Sequence, residues 1–244
     1  MILISYGLPK SASTFVFFTL TNLAEGAGSP IWRRLDERMP EDRKAAFQPD
    51  VDREYIELAR DRWPDDELLP VKTHSTLHAY TAQEIWAGRI KATASFRDPR
   101  DSALALLDAG VRDRENGKES FFATLHHMDD AIRVLRKQIG KTMEWLETPN
   151  VMPVPFMLVA QHPDILAREL AHFAGTEDAL SRIDEAAPKK EDVPEFNKGV
   201  LKRYETEMEP KHRAEIEDHF GFYIERFDAI TNEVFRDLGL PEPV

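Results

Sequence analysis

The chain has 244 residues, with 32 Lys and Arg against 44 Asp and Glu, a formal net charge of −12 and no cysteine. That balance argues against a nucleic-acid partner, and the absence of thiols excludes disulfides, cysteine nucleophiles and thiolate metal sites. No run approaches the roughly 20 apolar residues of a membrane span, and Met1 to Gly7 lacks the basic flank of a signal peptide, so a cytoplasmic location is expected.

In chain order, Ile2-Leu3-Ile4-Ser5-Tyr6-Gly7 reads as a buried strand closed by Gly7 and Pro9. A helix is expected from Ser13 to about Ala24, apolar nearly all round. Residues 33–66, dense in both signs of charge and broken by Pro40, Pro49 and Pro64, read as a helical insertion. Further strands are expected at Leu68 to Thr73, Arg89 to Phe96 and Val154 to Ala160. Asp98-Pro99 is an N-cap and first-turn proline, opening a helix through Leu107.

From Phe121 to Leu146 apolar residues recur at spacings of 4, 3, 4, 3, 4, 4 and 3, predicting one long striped helix, about 40 Å at 1.5 Å per residue. His126 and His127 fall on it as ordinary surface or partly buried residues. His162-Pro163 opens another helix that Gly175 stops, and a last one carries Ile216, Phe220, Tyr223, Phe227, Ile230, Val234 and Leu238. Strands alternating with helices predict an α/β fold in three layers, a mostly parallel sheet flanked by helices. One domain over 1–244 is expected, with a helical C-terminal part from about 197.

Three strand ends carry polar constellations. The first turn, Leu8-Pro9-Lys10-Ser11-Ala12-Ser13-Thr14-Phe15, packs small hydroxyl residues against a helix start, where backbone N–H groups and the positive end of the helix make an anion site. A plain N-cap with a solvated Lys10 is the bland reading. The turn is not a Walker A loop, because Lys10 precedes the small residues. The second strand ends in Val71-Lys72-Thr73-His74, with Lys72 and His74 on the same side of an extended chain. The third ends in Ser95-Phe96-Arg97-Asp98-Pro99-Arg100-Asp101.

In this order the three segments resemble the PAPS-dependent sulfotransferase family, of the bacterial, cytosolic type. The first resembles the family's 5'-phosphosulfate loop Pro-Lys-Ser-Gly-Thr-Thr-Trp, with Ala12 for the glycine and Phe15 for the tryptophan. The second resembles its Lys-Thr-His, and the third its 3'-phosphate motif Arg-Asn/Asp-Pro-x-Asp. The serine expected eight residues after Arg97 is Ala105, with Ser102 one turn earlier as a substitute. Asn197-Lys198-Gly199 resembles the family's C-terminal Arg-Lys-Gly loop, departing from it at Asn197, and only Lys198 and Gly199 carry over.

The resemblance implies a P-loop NTPase-like sulfotransferase fold. It also implies transfer of a sulfuryl group from 3'-phosphoadenosine 5'-phosphosulfate (PAPS) to a hydroxyl or amine of a small-molecule or carbohydrate acceptor. It assigns His74 as base, with Lys10 and Lys72 stabilising developing charge. Lys10, Ser11, Ala12, Ser13, Thr14, Phe15, Arg97, Ser102, Lys198 and Gly199 would bind the nucleotide, and no metal is required. Glu25 and Glu84 are spare candidates for the base. By position in the fold, 33–66 and 75–90, with His78, Tyr80 and Trp86, are expected to form the acceptor pocket. Overall acidity favours a neutral or basic acceptor over long sulfated chains, and the striped helices offer a homodimer surface. Two alternatives stay open: a P-loop-like small-molecule kinase using ATP and Mg²⁺, and a non-catalytic nucleotide-binding relative.

Overall fold

The computed structural model describes residues 1–25, 39, 47–63, 67–176 and 199–242. The apolar run Ile2–Gly7 forms β1, followed by α1 (Ser13–Glu25) and α2 (Arg53–Arg62). Next come β2 (Leu69–Thr73), α3 (Ala79–Trp86), β3 (Ile90–Phe96) and α4 (Pro99–Glu115). A 3-10 turn at Phe122–Thr124 leads into α5 (Met128–Leu146), β4 (Val151–Pro155), α6 (Phe156–Gln161) and α7 (Pro163–Ala174). The short α8 (Tyr204–Glu207) and the long α9 (Pro210–Asp237) complete the described chain.

The four strands form one parallel sheet in the order β2-β1-β3-β4. Alternation along β1 divides the core between the two faces: Leu3 joins α1, α4, α5, α7 and α9 on one side, while Ile2, Ile4 and Tyr6 join Tyr55, Ile56, Ile85 and Trp145 on the other. This is the expected three-layer α/β architecture. The chain leaves β1 for β2 and then returns to β1's other side as β3, so the strand order reverses at β1. Such a reversal opens a crevice at the carboxyl ends of the strands. Prolines 70, 153 and 155 fall in β2 and β4, the edge strands, where a missing N–H costs least.

Three boundaries differ from expectation. The fourth strand is Val151–Pro155, and the rest of the strand expected at Val154 to Ala160 belongs to the helix Phe156–Gln161. Phe156, Met157, Leu158 and Val159 are all buried, and a short apolar run covered on every side has no periodicity to separate strand from helix. The helix after Asp98-Pro99 continues past Leu107 to Glu115. The long striped helix is broken. The Asp130 carboxylate accepts the backbone N–H groups of His126 (3.0 Å) and His127 (3.1 Å), fixing a helix start after both histidines, so neither lies on α5. Gly175 ends α7 at φ 77°, as expected. Of the expected insertion only residues 39 and 47–63 are described, with α2 as its helix; the proline-rich stretch near 190 lies outside the described residues.

Trp145 connects α5 to the functional edge. Its ring is fully buried, stacks on Tyr6 at 5.0 Å and 12°, and its Nε1–H donates to the Ser75 carbonyl at 3.1 Å. Tyr6 in turn bonds Thr142 at 2.9 Å, and burial pushes its phenol pKa upward. Trp145→Ala is expected to lower unfolding free energy by about 3–5 kcal/mol, through the cavity and the orphaned carbonyl. Trp145→Phe, which keeps a stacked ring, should lose less; urea denaturation followed by far-UV circular dichroism measures both.

Candidate active site

The segments that resemble family motifs leave the carboxyl ends of β1, β2 and β3 and meet at one edge. The loop after β1 is shaped by Lys10 at φ 69° and Ala12 at φ 66°, left-handed conformations that bend the chain sharply between strand and helix. Gly7 permits this fold-back, since a Cβ on it would stand 2.3 Å from the Ser13 Cβ. The loop is pinned beneath by Leu8 N–H to the Ser95 carbonyl (2.9 Å) and by the Ser11 hydroxyl to the same carbonyl (3.0 Å). Val16 N–H bonds back to Ala12 O at 3.2 Å, so the N–H groups of Ser13, Thr14 and Phe15 stand ahead of the helix's hydrogen-bond ladder.

Lys72 and Thr73 end β2, and alternation sends Lys72 to the α1 side. The residue is only 9% exposed, and its ammonium donates to Thr14 Oγ1 at 2.7 Å beside the helix start. His74 follows at the strand end, and its Nδ1 lies 2.5 Å from the Gly7 carbonyl. A carbonyl only accepts, so Nδ1 carries the proton and Nε2 is the basic nitrogen. The imidazole packs against Phe47, ring centroids 5.6 Å apart.

Arg97, at the end of β3, is buried to 4% exposure behind the loop. Its guanidinium donates to Lys10 O and Val200 O, each at 3.2 Å, lies 3.6 Å from Asp101 and stacks 3.8 Å above the Phe156 ring. Burial pulls its pKa down to about 10 while the Asp101 carboxylate opposes the shift, so it stays cationic at neutral pH. Its Nε is buried with no hydrogen-bond partner among the described residues.

Two cavities open around this edge. The larger, about 770 Å³, brings together Lys10, Ser13, Lys72 and His74. Its other wall is a segment that no motif marked: Lys118, Phe121 and Phe122, and the face of α5 that carries Asp130, Arg133, Val134, Lys137 and Gln138. The smaller, about 340 Å³, is lined by Arg97, Asp98, Arg100, Asp101, Phe156 and Lys202, among others. Arg100 there is tied to Asp98 (2.6 Å) and Glu217 (2.8 Å) and stacks on Tyr204 at 3.9 Å.

The remaining expected site residues are placed differently. The Ser11 hydroxyl is committed to β3, and Phe15 packs into the core below the loop. Ser102 is fully buried, its Oγ without a partner among the described residues, but it lines neither cavity, and Ala105 is core. Gly199 turns at φ 67° beside Val200, whereas Lys198 and the Glu25 side chain lie outside the described residues. The stretch 75–90 lines neither cavity: Thr81 and Ile85 bury α3 against the sheet face away from the loop, and Trp86 is 72% exposed. Of 33–66, Phe47 alone among the described residues lines the larger cavity.

Glu84, a spare candidate for the base, lines neither cavity. It sits beside Arg89, just before β3 begins and so at the amino edge of the sheet. Hydrogen bonds from Arg89 (2.9 and 2.5 Å) and Arg60 (2.5 Å) hold its carboxyl down to about 2, against burial that would raise it.

The four-stranded parallel sheet reversing at β1 and flanked by helices matches the α/β fold of solved sulfotransferases. The mouse sulfotransferase SULT7A1 complexed with PAP aligns at a TM-score of 0.54 and 14% identity, over 98% of this chain and 88% of that one. A retinol dehydratase in complex with androsterone and the inactive cofactor PAP aligns at 0.54 and 12%, over 89% of this chain and 78% of that one. The same enzyme named with retinol and PAP gives 0.53 and 12%, over 89% and 79%. No family model matches the chain, and no curated protein matches its sequence.

The Glu84 cluster yields a pH signature. Its folded pKa lies below the ordinary 4.5, so its stabilisation is complete above about 4.5 and is lost as pH falls through about 2. Glu84→Gln is expected to cost about 1–2 kcal/mol at pH 7, discounted because both arginines are partly exposed. The gap between the two proteins should close as acid is added, measured by urea midpoints between pH 7 and 2.

Proposed function

We propose that the chain transfers a sulfuryl group from PAPS to a hydroxyl or amine of a small-molecule or carbohydrate acceptor. The observation that carries this reading is the convergence of Lys10, Lys72 and His74 on one cavity, with Arg97 buried directly behind the loop. The neighbours in fold whose complexes contain PAP support the choice of nucleotide. The residues present suit a polyanion: the unpartnered Nε of Arg97 and the leading N–H groups of α1 are donors that such a ligand would satisfy.

The bound donor supplies the sulfuryl group, which leaves the 5'-phosphate oxygen, and departs as adenosine 3',5'-bisphosphate. His74 Nε2 accepts the acceptor's proton as the oxygen or nitrogen bonds to sulfur. Its Nδ1–H, held by Gly7 O, stabilises the imidazolium that results. Lys10, Lys72 and the N–H groups of residues 13–15 offset charge building on the sulfonyl and bridging oxygens. Arg97 is assigned to the 3'-phosphate, and the resemblance adds Lys198 and Gly199 to the residues that bind the nucleotide. Thr14 holds the Lys72 ammonium in place. The expected compartment is the cytoplasm.

Adenosine 3',5'-bisphosphate is expected to raise the melting temperature, and ATP with Mg²⁺ is not; the reverse favours a kinase, and no shift with either a non-catalytic protein. In Arg97→Ala the bisphosphate dissociation constant should rise about ten- to a hundredfold more than that of adenosine 5'-phosphate, which lacks the 3'-group and senses only the loosened loop. Equal weakening of both would make Arg97 a support for the loop and not a phosphate ligand.

His74→Ala should leave bisphosphate binding intact and lower turnover by about two to four orders of magnitude. Turnover with a labelled donor over a panel of hydroxyl and amine acceptors measures it. Undiminished turnover would remove His74 as base.

A further inference from the structure

The larger cavity has an electrostatic character opposite to that of the chain. Among its described lining residues are five cations, Lys10, Lys72, Lys118, Arg133 and Lys137, and a single carboxylate, Asp130, although the whole chain carries −12. Asp130 is already engaged by the N–H groups of His126 and His127 and by Arg133 at 3.0 Å. Lys10 and Lys72 belong to the strand ends that the proposed reaction sets against the donor. Lys118 and Lys137 do not: one stands on the turn after α4, the other on α5.

That wall is built rather than incidental. The Lys118 N–H bonds the Asp113 carbonyl at 2.8 Å, and the Ser120 hydroxyl bonds the buried Asp113 carboxylate. Arg114 donates to Ala123 O (2.9 Å) and Leu125 O (2.8 Å), clamping the 3-10 turn onto α4. A Cβ at Gly110 would lie 2.6 Å from Phe122 O, so the turn sits where only a glycine admits it. On α5, Asp130, Arg133, Val134, Lys137 and Gln138 are three or four apart and share one face. Between the cations lie apolar groups, Phe47, Phe121, Phe122, Leu125 and Val134.

We propose that the acceptor is an anion: a hydroxyl-bearing molecule with an apolar body that sits among the phenylalanines and a carboxylate, sulfate or phosphate group set against Lys118 and Lys137. This rests on the sulfotransfer reading and reverses the neutral or basic acceptor that overall acidity suggests. With the donor's charge offset by Lys10, Lys72 and Arg97, the remaining lining cations outnumber Asp130. A neutral acceptor would leave that excess unanswered, whereas an anionic one turns it into orientation, hydroxyl toward His74 and charge toward the rim.

The probes are 6-hydroxy-2-naphthoate and its methyl ester, titrated calorimetrically into the full chain with and without saturating adenosine 3',5'-bisphosphate. The carboxylate is expected to bind about three- to tenfold tighter than the ester, with the difference shrinking at high salt. Lys118→Glu with Lys137→Glu should erase that preference and leave the bisphosphate affinity unchanged. Equal or tighter binding of the ester, no binding of either probe, or a double variant that weakens the bisphosphate as much as the naphthoate overturns the proposal. If the bisphosphate fails to bind the wild-type chain, it is the sulfotransfer reading that falls. The nucleotide-free titration then still decides whether the cavity selects anions.

Discussion

Burying the Arg97 guanidinium takes a full charge out of water, a cost of several kcal/mol that only fixed partners offset. Those partners come from separate parts of the chain: Lys10 O from the loop after β1, Asp101 from the first turn of α4, the Phe156 ring from the segment after β4, and Val200 O from the C-terminal part. Asp101 also accepts the Tyr204 N–H at 3.2 Å, drawing α8 to the same point. One side chain at the end of the central β3 therefore fastens the elements that surround the crevice. The left-handed turn at Lys10 and Ala12 is held in a conformation unfavourable to both residues because its carbonyl has this cation to face.

The same edge shows why net charge says little about what a protein binds. Screening in physiological salt confines exposed charges to about 8 Å, so a cavity responds to its own lining and not to the total. Carboxylates are abundant in this chain, yet Glu84 is locked between two arginines at the opposite edge of the sheet. Asp113 is turned into the turn it supports. Five cations, Lys10, Lys72, Lys118, Arg133 and Lys137, line the larger cavity against Asp130 alone among its described lining residues, so it is positive within an acidic molecule.

Much of the layout was legible in the sequence because its signals are local. The apolar runs of β1, β2 and β3, the Asp98-Pro99 helix start and the Gly175 stop depend on residues within a few positions of each other. The positions of Lys10, Lys72, His74 and Arg97 followed, since a residue at a strand's carboxyl end is placed by the sheet. What stayed hidden depends on contacts distant in sequence. The break before α5 arises because Asp130 captures two N–H groups ahead of it, which interrupts a helix without altering its apolar spacing. The polar face of α5 was passed over because the apolar stripe defines a helix, while Asp130, Arg133, Lys137 and Gln138 read as solvated surface until Lys118 and Phe122 stand across from them. Position in the fold pointed to 75–90 for the second wall, but α3 is spent on the opposite face of the sheet.

Gly7 links the loop to the His74 imidazole. Its missing Cβ lets Ser13 fold back and brings the leading N–H groups of α1 toward the crevice. Its carbonyl is the acceptor that fixes the His74 proton on Nδ1. A side chain at position 7 would push Ser13 away and shift the carbonyl with it, so the anion-facing turn and the orientation of the imidazole cannot vary independently. The histidine thus draws its tautomer from the strand that launches the loop, and a ring held by β1 stays aligned with the turn that β1 also supports. In the proposed reaction, proton acceptance and charge stabilisation would thereby be set in one frame.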